Sequence, residues 1–191
     1  VLQKSKITLV GSSRTDAGVH ALQNFFHFDF DEKPNLRFVY KMNAILPSDI
    51  VIKRVIPVPD EAHCRFDAVS REYKYCIYRF KNPFYQDRAY FFPYKINLEK
   101  LQQYAKVLMD YKDFSSFSKK RTQVKSFICD VMESEWYWQE DILVYKVKAN
   151  RFLRGMVRAL VATMLKLVRS EQNIDSFKQI IKSKDASRAY F

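Results

Sequence analysis

The most regular alternation of apolar and polar side chains lies near the end of the chain, in residues 152–169. Apolar positions recur there every three or four residues, which is the period of an amphipathic α-helix. Arg151, Arg154 and Arg158 recur at the same spacing outside the apolar stripe, so the pattern predicts a helix with an arginine face. The stripe consists of Leu153, Met156, Val157, Leu160, Val161 and Met164.

A two-residue alternation marks residues 71–80 as a β-strand. Tyr73, Tyr75 and Ile77 share one face, and the other face is also partly apolar, so we expect this strand to be central in a sheet. Asn97 precedes an apolar repeat that predicts a helix to about residue 109, and asparagine is a favoured N-cap. The remaining predicted elements are strands at 6–10, 21–30, 49–58, 126–138 and 142–149, and helices at 35–44 and 174–182.

The order of these elements predicts an α+β fold. From residue 71 onward the order is strand, helix, strand, strand, helix, which is typical of a ferredoxin-like or RRM-like unit. Pro57 and Pro59 end the strand predicted at 49–58 and indicate a boundary between two lobes. We therefore predict an N-terminal lobe over residues 1–60 and a C-terminal lobe over residues 61–191.

The composition is that of an ordinary globular protein, with 48% hydrophobic and 28% charged residues. No apolar run reaches the roughly 18 residues of a membrane span, and no signal peptide is recognisable. The three cysteines are an odd number without a CxxC pair, which favours reduced thiols in a cytoplasmic protein. The chain begins at Val1 without a methionine, which suggests a fragment.

The net charge of +12 is the strongest global clue to a partner. Residues 151–191 carry nine basic and three acidic side chains, so a large part of this charge is concentrated there. Such a field attracts polyanions and makes their binding salt-dependent. Together with the 16 Phe and 12 Tyr residues, it indicates an RNA-facing surface, although most of these aromatic side chains are expected in the core.

The best candidate for chemistry is the segment from Gly11 to His20, which follows the first predicted strand. Asp16 lies in its middle, close to Arg14 and two residues before Gly18. A carboxylate on such a loop can act as a nucleophile in covalent catalysis, and a nearby guanidinium favours its ionised form. The simpler interpretation is that Asp16 only stabilises a turn.

Other catalytic classes fit the sequence less well. With three glycines in the chain, a glycine-rich phosphate loop is excluded, and no nucleophile elbow surrounds Ser12 or Ser13. A hard-ligand metal site is conceivable, but no familiar metal-ligand spacing occurs and we expect none. Its candidate ligands are Asp16, His20, His27, Asp29 and Asp31.

Five ordered blocks of the chain resemble the TruA family of tRNA pseudouridine synthases. The first is the loop at 11–21, which is similar to the active-site motif of that family. The second resembles its N-x-x-L-P-x-D-I segment, and the third its H-A-R-F-x-A…R-x-Y-x-Y segment. The blocks are Gly11–Ala21, Asn43–Ile50, His63–Tyr75, Asp113–Phe117 and Asn150–Arg158, and they span nearly the whole chain.

The resemblance implies isomerisation of uridine to pseudouridine in RNA, without a cofactor or metal. Asp16 matches the nucleophile, which attacks either the ribose C1′ or the uracil C6. Tyr73 matches the tyrosine that stacks on the target base, and Arg158 matches the arginine that pairs with the carboxylate. Arg14 matches an arginine implicated in turning the nucleotide out. Arg151 and Arg154 are further candidates for binding the substrate.

The resemblance also implies a fold and partners. The fold is that of pseudouridine synthases, with two ferredoxin-like lobes that share a mixed, mostly antiparallel sheet, helices on one side and a basic central cleft. The implied partners are the anticodon stem-loop of tRNA and a second copy of the chain. Family members usually have an opening strand and helix and a closing strand that are missing here, so we expect these 191 residues to bind tRNA poorly and turn over slowly.

Two alternatives stay open from the sequence. The chain could be a catalytically idle RNA-binding module of the RRM type, in which the aromatic side chains stack on bases. It could also be a metal-dependent phosphoesterase that uses Asp16, His20 and Asp29. Loss of activity on replacing Asp16 would separate the first alternative from an enzyme, and sensitivity to EDTA would reveal the second.

Overall fold

The computed structural model describes residues 7–30, 37–119 and 124–191. They form two compact units. Of the described residues, the first unit contains 7–14, 21–30 and 37–68, and the second contains 15–20, 69–119 and 124–191. Together they make a mixed α+β structure. Among the described residues, no helix combines the length and the apolar character needed to cross a membrane.

The first unit contains a two-stranded antiparallel sheet and a short helix. Strands β1 (Val10–Gly11) and β2 (Phe26–His27) pair with each other, and helix α1 spans Phe38–Ile45. The strands predicted at 6–10 and 21–30 are therefore much shorter than expected, with two paired residues each, and the N–H of Ser12 adds a 2.8 Å hydrogen bond to the carbonyl oxygen of Phe25. Residue 6 and the first two positions of the helix predicted at 35–44 lie outside the described residues.

The strand predicted at 49–58 is wrong. Its β-branched residues are largely exposed, and the described backbone pairs with no other strand there. The side chain of Asn43 instead bonds both backbone groups of Ile52, at 2.8 Å to the N–H and 2.9 Å to the carbonyl oxygen. A side chain thus supplies the hydrogen bonds that a neighbouring strand would have made.

The second unit is built on a four-stranded sheet in the order β4-β3-β6-β5. Strands β3 and β6 are antiparallel, as are β5 and β6, while β4 is parallel to β3. The prediction that β3 is central is confirmed, because it lies between β4 and β6. The strands are β3 (Arg71–Tyr78), β4 (Tyr90–Phe91), β5 (Val131–Gln139) and β6 (Ile142–Ala149).

The hydrophobic core of the second unit lies against one face of this sheet. Tyr73, Tyr75 and Ile77 are on this face, as predicted, and their partners on β6 are buried. Helices α2 (Leu98–Val107), α3 (Met156–Arg169) and α4 (Ile174–Ser183) supply the other core residues. The buried hydrophobic residues of the described chain all belong to this unit, which therefore holds its only extensive core among the described residues.

The α2 N-cap agrees with the prediction, and a short turn joins β5 and β6. Asn97 accepts a 3.0 Å hydrogen bond from the N–H of Lys100, and α2 follows it. The turn between β5 and β6 begins with Glu140 at φ +53°, a left-handed conformation that closes a short hairpin. Strand β5 begins at residue 131 rather than 126, because residue 128 forms only an isolated bridge to Asp113.

Helix α3 begins four residues later than predicted. Gly155 precedes it with φ +73°, which takes the chain out of the right-handed helical region. Arg151 and Arg154 are exposed and lie before the helix, so the predicted arginine face is reduced to Arg158. The apolar stripe from Met156 onward is buried as predicted, except for the half-buried Val157.

Candidate active site

The loop that carries Asp16 belongs to the second unit. The N–H of Val19 donates a 3.3 Å hydrogen bond to the carbonyl oxygen of Asp16, which closes a tight turn. Gly18 occupies the third position of this turn with φ +78°, the angle that a type II turn requires there. The Asp16 side chain is exposed and therefore open to a substrate.

Arg158 reaches this turn from the first turn of α3. Its Nη2 donates a 2.6 Å hydrogen bond to the carbonyl oxygen of Ala17. Within the described part of the chain, neither Asp16 nor Arg158 takes part in an ion pair shorter than 4.0 Å. In this conformation the guanidinium therefore binds the backbone next to the carboxylate rather than the carboxylate itself.

Tyr73 lies close enough to respond to the charge of Asp16. Burial is the main cause that raises the pKa of Tyr73 above 10.0; the Arg71 cation opposes the rise and the Asp16 carboxylate adds to it. Tyr73 therefore carries its proton at neutral pH. Burial likewise raises the pKa of Tyr75, and the charge of Arg158 opposes this rise. The loop, β3 and the start of α3 thus meet at one place in the second unit.

Phe152 fixes the orientation of Tyr73. The two rings meet edge to face, with centroids 5.1 Å apart and an interplanar angle of 90°. This geometry is favourable for aromatic quadrupoles and restricts rotation of the tyrosine ring. Phe152 was not predicted as a site residue, and the only sequence signal for it is its place in the fifth block, two residues after Asn150.

Arg71, at the start of β3, binds the segment that connects β6 to α3. Its Nη1 donates a 2.8 Å hydrogen bond to the carbonyl oxygen of Asn150, just after β6 ends. The side chain of Asn150 accepts a bond of the same length from the N–H of Asp130. The segment that leads to α3 is therefore anchored to both neighbouring strands, which stabilises the approach to Arg158.

The other arginines predicted from the sequence are Arg14, Arg151 and Arg154. Arg151 and Arg154 are exposed in the segment before α3, and the carbonyl oxygen of Arg154 accepts a 3.0 Å bond from Lys119. Arg14 is exposed and belongs to the first unit. Their exposure is compatible with phosphate contacts, which position a nucleic acid without reading its sequence.

The candidate metal ligands are not assembled. Among the described residues, no group of three or more His, Cys, Asp or Glu side chains is arranged to hold a metal ion. Asp31 lies outside the described residues. The Nε2 atom of His20 lies 3.0 Å from the carbonyl oxygen of Asp87, and Nδ1 of His27 accepts a 3.2 Å bond from the N–H of Cys64.

Comparisons with known proteins show which family this chain is similar to. The sequence profile of a family described as tRNA pseudouridine synthase matches residues 105–191. The tRNA pseudouridine synthase A of Parabacteroides distasonis is 43% identical over 191 residues, which cover 99% of this chain and 76% of that protein. The protein of the same name from Bacillus subtilis is 37% identical over 194 residues, covering 99% and 78%.

These similarities define an isomerase of the pseudouridine synthase class. More narrowly, the chain belongs to the tRNA pseudouridine synthase A family.

Proposed function

We propose that this chain isomerises uridine to pseudouridine in tRNA and that Asp16 is its nucleophile. The names of the relatives support tRNA as the substrate. The observation that carries the assignment of Asp16 is its place in the second unit, where its charge acts on Tyr73 and Arg158 binds the next residue. Residues distant in sequence converge there on one exposed carboxylate.

The reaction needs no oxidant or reductant. The Asp16 carboxylate adds to the ribose C1′ or to the uracil C6, and the bond between C1′ and N1 breaks. The base turns in the site, C5 bonds to C1′, the hydrogen on C5 leaves as a proton, and N1 takes up a proton. In this scheme the carboxylate is regenerated when its bond to the nucleotide breaks.

Tyr73 and the arginines have separate roles in this proposal. Tyr73 stacks on the uracil, and its protonated hydroxyl keeps the stacking face uncharged. Arg158 holds the aspartate loop, and Arg14 helps to turn the nucleotide out of its helix, which costs a few kcal/mol and less in a loop. Arg151 and Arg154 contact phosphates. We propose the anticodon stem-loop as the target region.

The finer architecture is also part of the proposal. We infer that the second unit is a ferredoxin-like lobe with a basic surface. Its element order and the net charge of +12 support this view. We further propose a homodimer located in the cytoplasm, which rests on the family resemblance and on the unpaired cysteines.

Release of tritium from tRNA labelled at C5 of uridine tests the proposal directly. The enzyme should be in excess over the labelled tRNA so that a single turnover is followed. Asp16→Asn keeps the size of the side chain but removes its charge, and we expect it to abolish release while tRNA binding stays within about twofold. If the parent binds tRNA but releases no tritium, the idle RNA-binding module is the better description.

A further inference from the structure

His20 closes the segment that carries Asp16 and makes a contact far along the chain. Its Nε2 lies 3.0 Å from the carbonyl oxygen of Asp87, 67 residues away and within the same compact unit. An imidazole nitrogen can bond a carbonyl oxygen only as a donor, so Nε2 carries hydrogen here. From the sequence, His20 is conceivable as a metal ligand, but a hydrogen-bonded structural or surface role is favoured.

The partner of His20 is itself held firmly. Asp87 lies between the 3₁₀ turn Pro83–Tyr85 and β4, and the turn is capped by the side chain of Asn82. The N–H of Ala89 donates a 2.9 Å bond to the carbonyl oxygen of Tyr85, directly before β4 pairs with β3. The carbonyl that receives His20 is therefore tied to the strand that carries Tyr73.

The segment 16–20 thus has three fixed points. The turn is closed by the bond from Val19 to Asp16, Ala17 is held by Arg158, and His20 is held by the carbonyl of Asp87. The first contact sets the local shape of the loop. The other two tie it to α3 and to the segment before β4, on either side of Gly18. If either the Arg158 bond or the His20 bond is lost, the loop can rotate about the contact that remains.

We propose that His20 is a positioning residue that holds the Asp16 loop in register with Tyr73. This inference rests on the proposed function of Asp16. His20 acts through a backbone contact and not by exchanging protons with the substrate. A displacement of the carboxylate by about 1 Å is enough to slow a well-oriented reaction by roughly a hundredfold, so a lost tie has a measurable effect.

The contact persists when the imidazole is protonated, since Nε2 donates in both the neutral and the charged ring. The charged groups beside His20 are the Asp87 carboxylate and Arg88, which is paired with Asp87 at 3.1 Å. A positioning role therefore predicts no change in the pH profile on substitution. A role in proton transfer predicts the loss of one limb of that profile.

Three variants of the full chain test the proposal. His20→Ala removes the donor, His20→Gln places an amide N–H near the position of Nε2, and Arg88→Ala removes a neighbouring exposed side chain as the matched control. We expect His20→Ala to slow single-turnover tritium release by about ten- to a hundredfold. His20→Gln should recover most of this rate, and Arg88→Ala should match the parent.

Hydrogen exchange of the peptide that contains Val19 gives a readout independent of activity. We expect faster exchange of this amide in His20→Ala, with melting temperature and tRNA affinity close to those of the parent. The proposal is overturned if His20→Ala keeps the parental rate and exchange, or if His20→Gln is as slow as His20→Ala. If the parent and Asp16→Asn release tritium equally, the function proposed for Asp16 is wrong. Hydrogen exchange at Val19 then still tests whether the bond from His20 to the Asp87 carbonyl holds the loop.

Discussion

The guanidinium of Arg158 donates a 2.6 Å hydrogen bond to the carbonyl oxygen of Ala17, the residue that follows Asp16. The two residues are 141 positions apart in the chain. The contact fixes the backbone of the aspartate loop to α3 and leaves the carboxylate exposed. In this state Arg158 orients the loop that presents the carboxylate, while the ion pair implied by the family resemblance is not formed.

Replacing Arg158 by lysine should therefore lower the rate of catalysis while the free energy of unfolding changes little. Lysine keeps the charge but lacks the planar fork that reaches the Ala17 carbonyl, and we expect single-turnover tritium release to slow by about ten- to a hundredfold. Arg169→Lys on the same helix is the matched control. Its guanidinium lies 3.6 Å from the centroid of the Tyr94 ring, and lysine keeps a cation for this contact, so the change should cost less than about 0.5–1 kcal/mol of stability and leave the rate intact.

Gly18→Ala tests whether the turn conformation matters. Added to Gly18, a Cβ would have no atom within 4 Å, so the effect comes from the backbone angle of +78° alone. A left-handed alanine costs about 1–2 kcal/mol, and we expect the turn to relax and the rate to fall about tenfold. Asparagine tolerates this region better, so Gly18→Asn should be faster than Gly18→Ala. Equal rates for the parent and Gly18→Ala would contradict this account.

Phe152→Leu tests the support of Tyr73. The edge-to-face pair is worth about 0.5–1.5 kcal/mol beyond the buried area, and its loss should let the Tyr73 ring rotate. We expect single-turnover tritium release to slow several-fold, whereas Phe152→Tyr keeps the ring and the rate. Tyr73→Phe keeps the stacking face and should stay close to the parent, unlike Tyr73→Ala. If Phe152→Leu releases tritium as fast as the parent, Phe152 does not support Tyr73 in catalysis.

The stability of the protein should fall as the pH rises from about 9 to 11. Burial raises the pKa of Cys129 from 9.0 to about 11, against a smaller opposing effect of Arg151. In this range the unfolded chain has lost the thiol proton that the folded chain keeps. One proton corresponds to a loss of about 1.4 kcal/mol of stability per pH unit. Urea unfolding should show a shallower decline in Cys129→Ala, and an unchanged slope would refute this assignment.

Lys146 stabilises a group of carboxylates on the other face of the sheet. Its Nζ lies 2.6 Å from Glu133, 3.7 Å from Glu135 and 3.8 Å from Glu72. Lys146→Met leaves three carboxylates close together, so its melting temperature should fall below that of the control Lys148→Met. Salt screens this repulsion, and the difference should shrink at high ionic strength. A difference that is independent of salt would point to packing instead.

The hydrogen bonds to Glu133 also predict a response to acid. Its pKa lies below the usual value, chiefly because the side chain of Lys146 bonds it. A lowered folded-state pKa stabilises the protein at neutral pH, and this stabilisation is lost as the pH falls through that pKa. Thermal unfolding of the parent and of Lys146→Met should therefore converge at low pH.

Several elements could be predicted because their signals are local. The alternation in β3, the N-cap at Asn97 and the apolar stripe from Met156 each depend on neighbours in sequence, and all three are confirmed. The strand predicted at 49–58 failed because a strand needs a partner, and here Asn43 supplied the hydrogen bonds of Ile52. Pairing across the chain is not encoded in a local pattern.

By itself, the sequence determined the α+β class, the family and the residue type of the candidate nucleophile, because motif order and periodicity are properties of the linear chain. Only the tertiary structure decided what Asp16 has around it. The bond of Arg158 to Ala17, the contact of His20 with Asp87 and the packing of Phe152 on Tyr73 each join distant residues. Such contacts depend on distances of a few ångströms, which are fixed only when strands and helices pack.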